Sequence, residues 1–251
     1  MVRLVQRLRP VILGLAAWGG AQPAARALGS SAARIWLPEA ITTSAPMIDQ
    51  LFYIVLAITG VAFVLVQAVL LFFILRYRHR PGRPATYTHG STTAEVIWTV
   101  VPALILVWLT FKSQSVWSFV RGTPPPPDLQ IEITGEQFAW NVRYAGADGA
   151  LNTADDITTI NQLHLPVGQT VLFNIRSKDV IHSFFVPQFR MKQDAVPGLT
   201  THLWVNPTKA GNYEIACAEL CGLGHYRMRG FVVVETPEAL AAWLAQQLAE
   251  Q

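Results

Sequence analysis

The chain is poor in charge and in sulfur. Charged residues make up 14% of its 251 residues, hydrophobic ones 51%, and only two residues are cysteine. So little charge excludes an ordinary soluble protein, whereas a bundle of membrane spans alone would be more apolar than the observed mean hydropathy of +0.32. A membrane-anchored protein with one soluble domain fits this balance better.

Two motifs are missing as well. No Cys-x-x-Cys-His segment occurs, which excludes a covalently attached haem. No run of Lys and Arg with interleaved aromatic residues occurs either, so nothing in the sequence indicates a nucleic-acid partner.

The N-terminal segment has the pattern of a secretory signal. Three arginines precede an apolar run of about eleven residues, and small residues follow up to residue 27. This pattern predicts a signal peptide over 1–27, because the apolar run is short for a hydrocarbon core of ~30 Å. A short additional membrane helix is the alternative.

Two longer apolar segments predict membrane-spanning helices. Residues 51–75 are apolar almost throughout and predict a helix over about 48–76, and residues 96–111 predict a second over about 94–117. Together they predict a transmembrane hairpin within 28–120. A hairpin buried inside a soluble protein is the alternative interpretation.

Basic residues follow the first of these segments and set the predicted orientation. They are Arg76, Arg78, Arg80 and Arg83. Because basic loops stay in the cytoplasm, the hairpin turns there, and both termini lie on the outer side of a bacterial inner membrane. The signal pattern gives the same orientation independently.

The C-terminal half has the pattern of a β-domain. After a Pro-rich linker over 121–129, short β-branched and aromatic runs alternate with Gly, Pro, Asn and Asp. In TVLFNIR, for example, the apolar residues fall on one face. Many short strands without intervening helices predict a sandwich or a Greek-key barrel over 130–236, and residues 237–251 predict a closing helix.

Both cysteines lie in the stretch CAELCGLGHYRM, residues 217–228. A disulfide between Cys217 and Cys221 would close a very small loop and would leave His225 and Met228 unexplained. Structural zinc would require four strong ligands, and a methionine thioether is a poor one. Copper favours this set of thiolate, imidazole and thioether, with the methionine as a weak axial ligand.

A copper site of this kind needs a second histidine from another part of the chain. His79 and His89 lie in the predicted cytoplasmic loop, and we interpret His164 and His202 as structural. His182, in the segment SKDVIHSFFVP, is therefore the candidate.

Two thiolates on one loop can each bridge two copper ions, so that each ion takes one imidazole. Met228 would then complete one ion weakly, and the backbone carbonyl of Glu219 the other.

The spacing H-x34-C-x-E-x-C-x3-H-x2-M closely resembles the binuclear copper A centre of cytochrome c oxidase subunit II. It comprises His182, Cys217, Glu219, Cys221, His225 and Met228. The segments TTAEVIWTVVPALIL, GEQFAW and VIHSFFVPQFRMKQDAVPG also resemble that family, and the resemblance covers residues 40–240. It implies a membrane-anchored α+β protein with two transmembrane helices and a C-terminal cupredoxin-like Greek-key β-barrel.

The resemblance also implies a function. The binuclear copper A centre would accept electrons from cytochrome c, or from a membrane-tethered cytochrome, and pass them to haem a of subunit I. Oxygen would be reduced to water in subunit I, and this reduction would be coupled to proton translocation. Subunit III would be a further partner of this chain. Glu219 would also face a magnesium ion shared with subunit I, Glu95 would lie at the mouth of a proton pathway, and this chain would carry no haem.

Two positions depart from the family pattern. Phe138 stands where the family usually has the tryptophan that receives the electron, while Trp140 is retained, so both are candidates for that role. Arg143 stands where the family often has an acidic residue. Four aspartates remain as a candidate acidic docking patch: Asp148, Asp155, Asp156 and Asp179.

Other functions remain open from the sequence. They are the copper A subunit of a nitric oxide reductase and a stand-alone membrane copper carrier, although a single anchor would suffice for the latter. A quinol oxidase subunit of the same fold lacks the copper ligands that are present here.

Overall fold

The computed structural model describes residues 37–250. The predicted signal peptide lies outside these residues. Two long helices come first, α1 (Ala45–Tyr77) and α2 (Thr92–Arg121). Both are long and apolar enough to cross a membrane. At 33 residues, α1 is about 50 Å long, which exceeds the ~30 Å hydrocarbon core.

Local chemistry defines where the two helices begin. Pro46 stands in the first turn of α1, where its missing N–H costs no hydrogen bond. Ser91 caps α2 by accepting a hydrogen bond from the Ala94 N–H at 3.3 Å. Most apolar side chains between these starts and the helix ends are exposed, as expected for a surface covered by lipid.

Ten strands follow and form two five-stranded sheets. The first sheet has the order β3-β2-β1-β5-β8 and the second β4-β10-β9-β6-β7. The strands are β1 (Leu129–Glu136), β2 (Ala139–Tyr144), β3 (Ile157–Ile160), β4 (Gln162–Pro166), β5 (Val171–Ser177), β6 (His182–Val186), β7 (Met191–Ala195), β8 (Thr201–Val205), β9 (Gly211–Cys217) and β10 (Arg229–Glu235).

Four of the eight strand pairs, β1–β5, β5–β8, β4–β10 and β6–β9, join strands that are not consecutive in the chain, as in a Greek-key arrangement. The β1–β5 and β4–β10 pairs are parallel, and the other pairs are antiparallel. Alternate residues point inward, so that Trp140, Val142 and Tyr144 of β2 are buried together with Phe173 of β5 and Phe184 of β6. The predicted fold class is confirmed.

A third helix, α3 (Pro237–Ala249), closes the domain. Thr236 caps it by accepting a hydrogen bond from the Ala239 N–H at 3.3 Å. Trp243 stacks on His164 of β4, with 3.8 Å between the ring centroids. The His164 Nδ1 atom lies 2.7 Å from Oε1 of Glu235, the last residue of β10. Glu235 therefore also fixes the imidazole on which Trp243 stacks.

A nearly buried ion pair joins the helical hairpin to the β-domain. Arg190 follows β6 and donates Nε–H to Asp49 Oδ1 at 2.6 Å and Nη2–H to Asp49 Oδ2 at 3.1 Å. The same guanidinium also donates to the carbonyls of Pro38 and Pro187. Asp49 lies in the first turns of α1. The two hydrogen bonds from the Arg190 guanidinium to its carboxylate therefore hold the start of α1 close to β6, the strand that begins at His182.

We expect Asp49→Ala to lower the free energy of unfolding by about 3 kcal/mol, because it leaves the largely buried Arg190 guanidinium without its carboxylate. Chemical denaturation of the full chain in detergent, followed by near-UV circular dichroism, measures this loss. Lys192→Ala is the control: its ion pair with Asp194 is half-exposed, so the expected change is within about 0.5 kcal/mol. Equal effects of both variants would contradict the proposed role of the ion pair.

Candidate metal centre

Strand register brings the predicted ligands to one end of the second sheet. His182 is the first residue of β6 and Cys217 the last of β9, and these strands pair with Phe184 opposite Cys217. Met228 immediately precedes β10, and its carbonyl accepts a hydrogen bond from the Cys217 N–H at 3.3 Å. Pairing of β9 with β10 therefore closes the loop 218–228 over the end of β6.

The side-chain donors converge on the two sulfurs. Cys217 Sγ lies 3.8 Å from Cys221 Sγ and 4.0 Å from His182 Nδ1. Cys221 Sγ lies 3.6 Å from His225 Nδ1 and 3.7 Å from Met228 Sδ. The Glu219 carbonyl oxygen lies 3.2 Å from Cys217 Sγ. All six predicted ligands thus lie around the two sulfurs, and the Glu219 side chain is exposed.

The two cysteines are free thiols. Their sulfurs stand well beyond the ~2.05 Å of a disulfide bond. Burial, followed by the neighbouring Cys217, raises the pKa of the Cys221 thiol to about 11. Without metal, Cys221 is thus protonated at neutral pH, and binding of a cation must displace its proton.

Asp179 orients the imidazole of His182. The ring is fully buried and donates Nε2–H to Asp179 Oδ1 at 2.8 Å, which leaves Nδ1 to face the sulfurs. Partial burial opposes ionisation of Asp179. Hydrogen bonds from His182 and from the N–H groups of Gln137 and Val180 outweigh this effect and lower the pKa of the carboxyl.

Gly135 makes room for the same ring. A Cβ atom at this position would lie 2.9 Å from His182 Cδ2 and 3.0 Å from its Cγ, and a buried imidazole cannot move aside. On the other side, the Trp140 indole contacts His182 edge to face, with 6.0 Å between the ring centroids. The imidazole is thus held by a carboxylate, a glycine and an aromatic ring.

The β1–β2 turn covers the cysteine loop. Gln137 Nε2 donates to the Cys221 carbonyl, and the Phe138 ring lies against Gly222 and Gly224. A Cβ atom at Gly224 would overlap that ring, and Gly222 has a φ of +133°, a conformation that favours glycine. Sequence reasoning singled out GEQFAW but missed the roles of Gly135 and Gln137.

The donor set fits a pair of copper ions. Two thiolates near one another can bridge two ions, and two imidazoles, one thioether and one carbonyl remain for the outer positions. His182, Cys217 and Cys221 alone already place their ligand atoms within 4.8 Å of one another. A single tetrahedral zinc ion would leave the thioether and the carbonyl without a function.

Comparison with known proteins agrees with this donor set. Residues 129–236 match the family "Cytochrome C oxidase subunit II, periplasmic domain", and residues 30–116 match "Cytochrome C oxidase subunit II, transmembrane domain". An "Alternative cytochrome c oxidase subunit 2" of Bradyrhizobium diazoefficiens is 35% identical to the chain, covering 84% of this chain and 83% of that protein.

The chain belongs to the cytochrome c oxidase subunit II family. A "Cytochrome c oxidase subunit 2" of Thermostichus vulcanus is 32% identical over 85% of this chain and 79% of its own length. The crystal structure of the periplasmic domain of a Bradyrhizobium japonicum subunit II aligns with a TM-score of 0.45 and 28% identity, covering 51% of this chain and 99% of that one. This subunit II is thus a membrane component of a haem–copper oxidoreductase.

The structure separates the two residues expected to receive the electron. Phe138 is 38% exposed above the cysteine loop, whereas Trp140 is fully buried against His182. Of the two, Phe138 alone offers a surface to a donor. Trp140 lies behind it, in contact with a predicted ligand.

Glu95 lies far from the ligand cluster. It is exposed in the first turn of α2, whereas the β-domain begins after the opposite end of that helix. Thirty residues of helix correspond to about 45 Å. A direct role of Glu95 at the metal centre is therefore excluded, and its expected role in proton transfer concerns the other end of the hairpin.

The acidic patch is smaller than the sequence indicates. Asp156 is buried and pairs with Arg143 at 3.4 Å. Asp148 and Asp155 both accept hydrogen bonds within their own loop, from Thr153 among others. Arg143 also lies 3.7 Å from Glu132, so this arginine belongs to a structural ion-pair network.

We expect Gly135→Ala in subunit II to weaken copper binding at least about tenfold, because the added methyl group displaces the imidazole of His182. Competition with a copper chelator measures the affinity of the full chain. Gly60→Ala is the control, because a Cβ atom at this position in α1 would meet no atom within 4 Å. Unchanged copper affinity in Gly135→Ala would show that the contact is not needed.

Proposed function

We propose that subunit II receives single electrons from a cytochrome c at a binuclear copper A centre and passes them to a haem of subunit I, where oxygen is reduced to water and protons are translocated. The observation that carries this proposal is the pair of free thiols 3.8 Å apart, surrounded by two imidazoles, a thioether and a carbonyl. Membership of the family supports the same function.

When bound, the copper pair would supply a one-electron acceptor and donor whose unpaired electron is shared between two ions. Cys217 and Cys221 would hold the ions as thiolates, together with the imidazoles of His182 and His225. Met228 and the Glu219 carbonyl would complete the outer positions weakly.

The protein around these ligands keeps them in place. His182 is fixed by Asp179, Gly135 and Trp140, and both ends of the cysteine loop are held by paired strands. Such support keeps the ligands near one geometry in both oxidation states, so that little must rearrange when an electron arrives.

We expect the wild-type full chain in detergent to bind two copper ions and to give a paramagnetic resonance spectrum split by two equivalent copper nuclei. Cys217→Ser removes one bridging thiolate and should abolish that spectrum. Thr158→Ala, an exposed position on β3, is the control that keeps it. One copper ion per wild-type chain, or a disulfide in the fully active protein, would overturn the proposal.

The surface around the centre is apolar and exposed, which suits docking of a partner. Leu220, Leu223 and Tyr226 are 77%, 98% and 82% exposed, and Phe138 lies beside the same loop. We propose that Phe138 is the point where the electron arrives and that Trp140 passes it inward to His182. The exposed Glu219 side chain would face a magnesium ion at the boundary with subunit I, and subunit III would complete the assembly.

We expect Phe138→Ala to slow electron transfer from cytochrome c by about tenfold or more, since an aromatic side chain at a docking centre contributes strongly to binding. Stopped-flow reduction of the assembled oxidase measures the rate, and an unchanged copper spectrum shows that the site is intact. Phe231→Ala, 48% exposed on β10, is the matched control.

We expect added salt to decrease the rate of electron transfer from cytochrome c only moderately, because only the remaining acidic groups would attract a basic cytochrome. A rate that rises with ionic strength would contradict acidic-patch docking. Equal rates in Phe138→Ala and wild type would contradict the role of Phe138.

The basic loop between the helices supports the proposed orientation. Arg78, Arg80 and Arg83 lie between α1 and α2. Because basic loops tend to stay in the cytoplasm, these arginines support a cytoplasmic loop and a periplasmic β-domain. Glu95, at the start of α2, would then stand at the cytoplasmic surface, where we propose that it delivers protons to subunit I.

We expect Glu95→Gln to lower steady-state oxygen reduction by the assembled oxidase at least about tenfold, because the amide cannot exchange a proton. An oxygen electrode with excess cytochrome c and reductant measures turnover. Glu238→Gln alters the corresponding first-turn glutamate of α3 and should leave turnover unchanged. Unchanged turnover in Glu95→Gln would remove the proposed proton role.

A further inference from the structure

Gln137 lies between the histidine part and the cysteine part of the candidate metal centre. It belongs to the β1–β2 turn of the first sheet, directly before Phe138, whereas the predicted ligands come from the second sheet and the cysteine loop 218–228. The backbone and the side chain of Gln137 bond different partners. One residue from outside the ligand set therefore contacts both of its parts.

The backbone of Gln137 is connected to the histidine. Its N–H donates to Asp179 Oδ2 at 2.8 Å, and Asp179 Oδ1 accepts from His182 Nε2 at the same distance. The carboxylate thus joins the turn to the imidazole by two hydrogen bonds in series. The Lys178 N–H also donates to the Gly135 carbonyl at 3.0 Å, which holds the segment before His182 against the end of β1.

The side chain of Gln137 is connected to the cysteine loop. Its Nε2–H donates to the Cys221 carbonyl at 2.5 Å. Among the described residues, no other group from outside the loop forms a hydrogen bond with the Cys221 backbone. Cys221 lies in the middle of the loop, away from the strands that hold both of its ends. The bond from Gln137 therefore fixes the part of the loop that strand pairing does not reach.

Gly222 leaves the space that the Gln137 amide occupies. A Cβ atom at position 222 would lie 2.6 Å from Gln137 Nε2, which is too close for a contact between two side chains. The φ of +133° at the same residue also favours glycine. Because a carbonyl oxygen can only accept a hydrogen bond, the amide nitrogen of Gln137 is the end that faces Cys221. The loop is thus shaped to receive this amide.

We propose that Gln137 is a positioning residue that joins His182 and Cys221 into one ligand set before copper binds. The inference rests on the proposed copper site and assigns part of its copper affinity to this side chain. Ligands that are already held in place lose less freedom when the metal enters. Removal of a group that orients a metal ligand typically weakens metal binding by about 10- to 100-fold.

We expect Gln137→Leu to weaken copper binding by the full chain about tenfold, because leucine removes the hydrogen-bond donor and adds no metal ligand. Competition with a copper chelator in detergent measures the affinity. Gln130→Leu is the matched control, since it makes the same change at an exposed glutamine of β1 for which no side-chain hydrogen bond is described. This control should bind copper as the wild type does.

The stability of the metal-free chain separates positioning from an effect on the fold. The Gln137 side chain is exposed, so the denaturation midpoint of metal-free Gln137→Leu should equal that of the wild type. A lowered midpoint that accompanies the loss of affinity would overturn the positioning role. Equal copper affinity in Gln137→Leu and wild type would overturn it as well.

A double variant tests the link to the histidine. Asp179→Ala removes the carboxylate that holds the Gln137 backbone, so the amide loses its fixed position. In this background, Gln137→Leu should weaken copper binding by only about threefold or less, because the two groups act through one turn. A full tenfold effect in the Asp179→Ala background would show that Gln137 acts on the cysteine loop alone, against the proposed link.

The paramagnetic resonance spectrum of the wild type distinguishes this proposal from the proposed function. A wild-type spectrum without two equivalent copper nuclei would contradict the binuclear site and, with it, the role of Gln137. A binuclear wild-type spectrum together with unchanged copper affinity in Gln137→Leu would leave the site in place and remove only the role of Gln137.

Discussion

The position of His182 relative to the cysteine loop is the constraint on which the candidate metal centre depends. The imidazole is buried and cannot turn, because Asp179 bonds one nitrogen, Gly135 lies against one face and Trp140 contacts its edge. Since β6 pairs with β9, the register of two strands decides whether Nδ1 meets Cys217. A slip of one residue would turn the histidine to the other face of the sheet. The second sheet therefore carries the candidate ligands, and the first sheet supplies the turn that covers the cysteine loop.

The connection between membrane and metal domain is similarly specific. Arg190 binds Asp49 four residues after β6 ends, so the strand that presents His182 is also held near the start of α1. The end of α2 contacts the other sheet through Phe119 and Trp204. The domain is thus attached at two points to the hairpin, and an electron acceptor in the membrane would find the centre at a fixed distance. Transfer of electrons through a protein needs such a fixed geometry more than it needs reactive groups.

The predicted ligands and the surface around the cysteine loop differ in burial. Among the predicted ligands, His182, Cys221 and Met228 are buried, and hydrogen bonds within the chain hold the His182 ring and the Cys221 carbonyl. The surface around the loop presents Leu220, Leu223 and Tyr226 to the outside. Exposed apolar side chains at this density suit contact with another protein. The loop of charged residues that includes Asp156 has a structural role instead, because its carboxylates bind Arg143 and backbone N–H groups of the same loop.

The sequence by itself determined the two apolar helices and the β-rich domain, and it predicted the six candidate ligands that the structure brings together. Apolar length and strand periodicity are local properties, and a thiol, an imidazole and a thioether keep their preference for copper wherever they stand. Sequence did not determine the roles of Gly135 and Gln137 or the burial of Trp140. These depend on contacts between residues about 40 to more than 80 positions apart, such as Gly135 against His182 and Gln137 against Cys221. Only the packing of two sheets brings such residues together, because side-chain position across a core is set by strand register and not by local spacing.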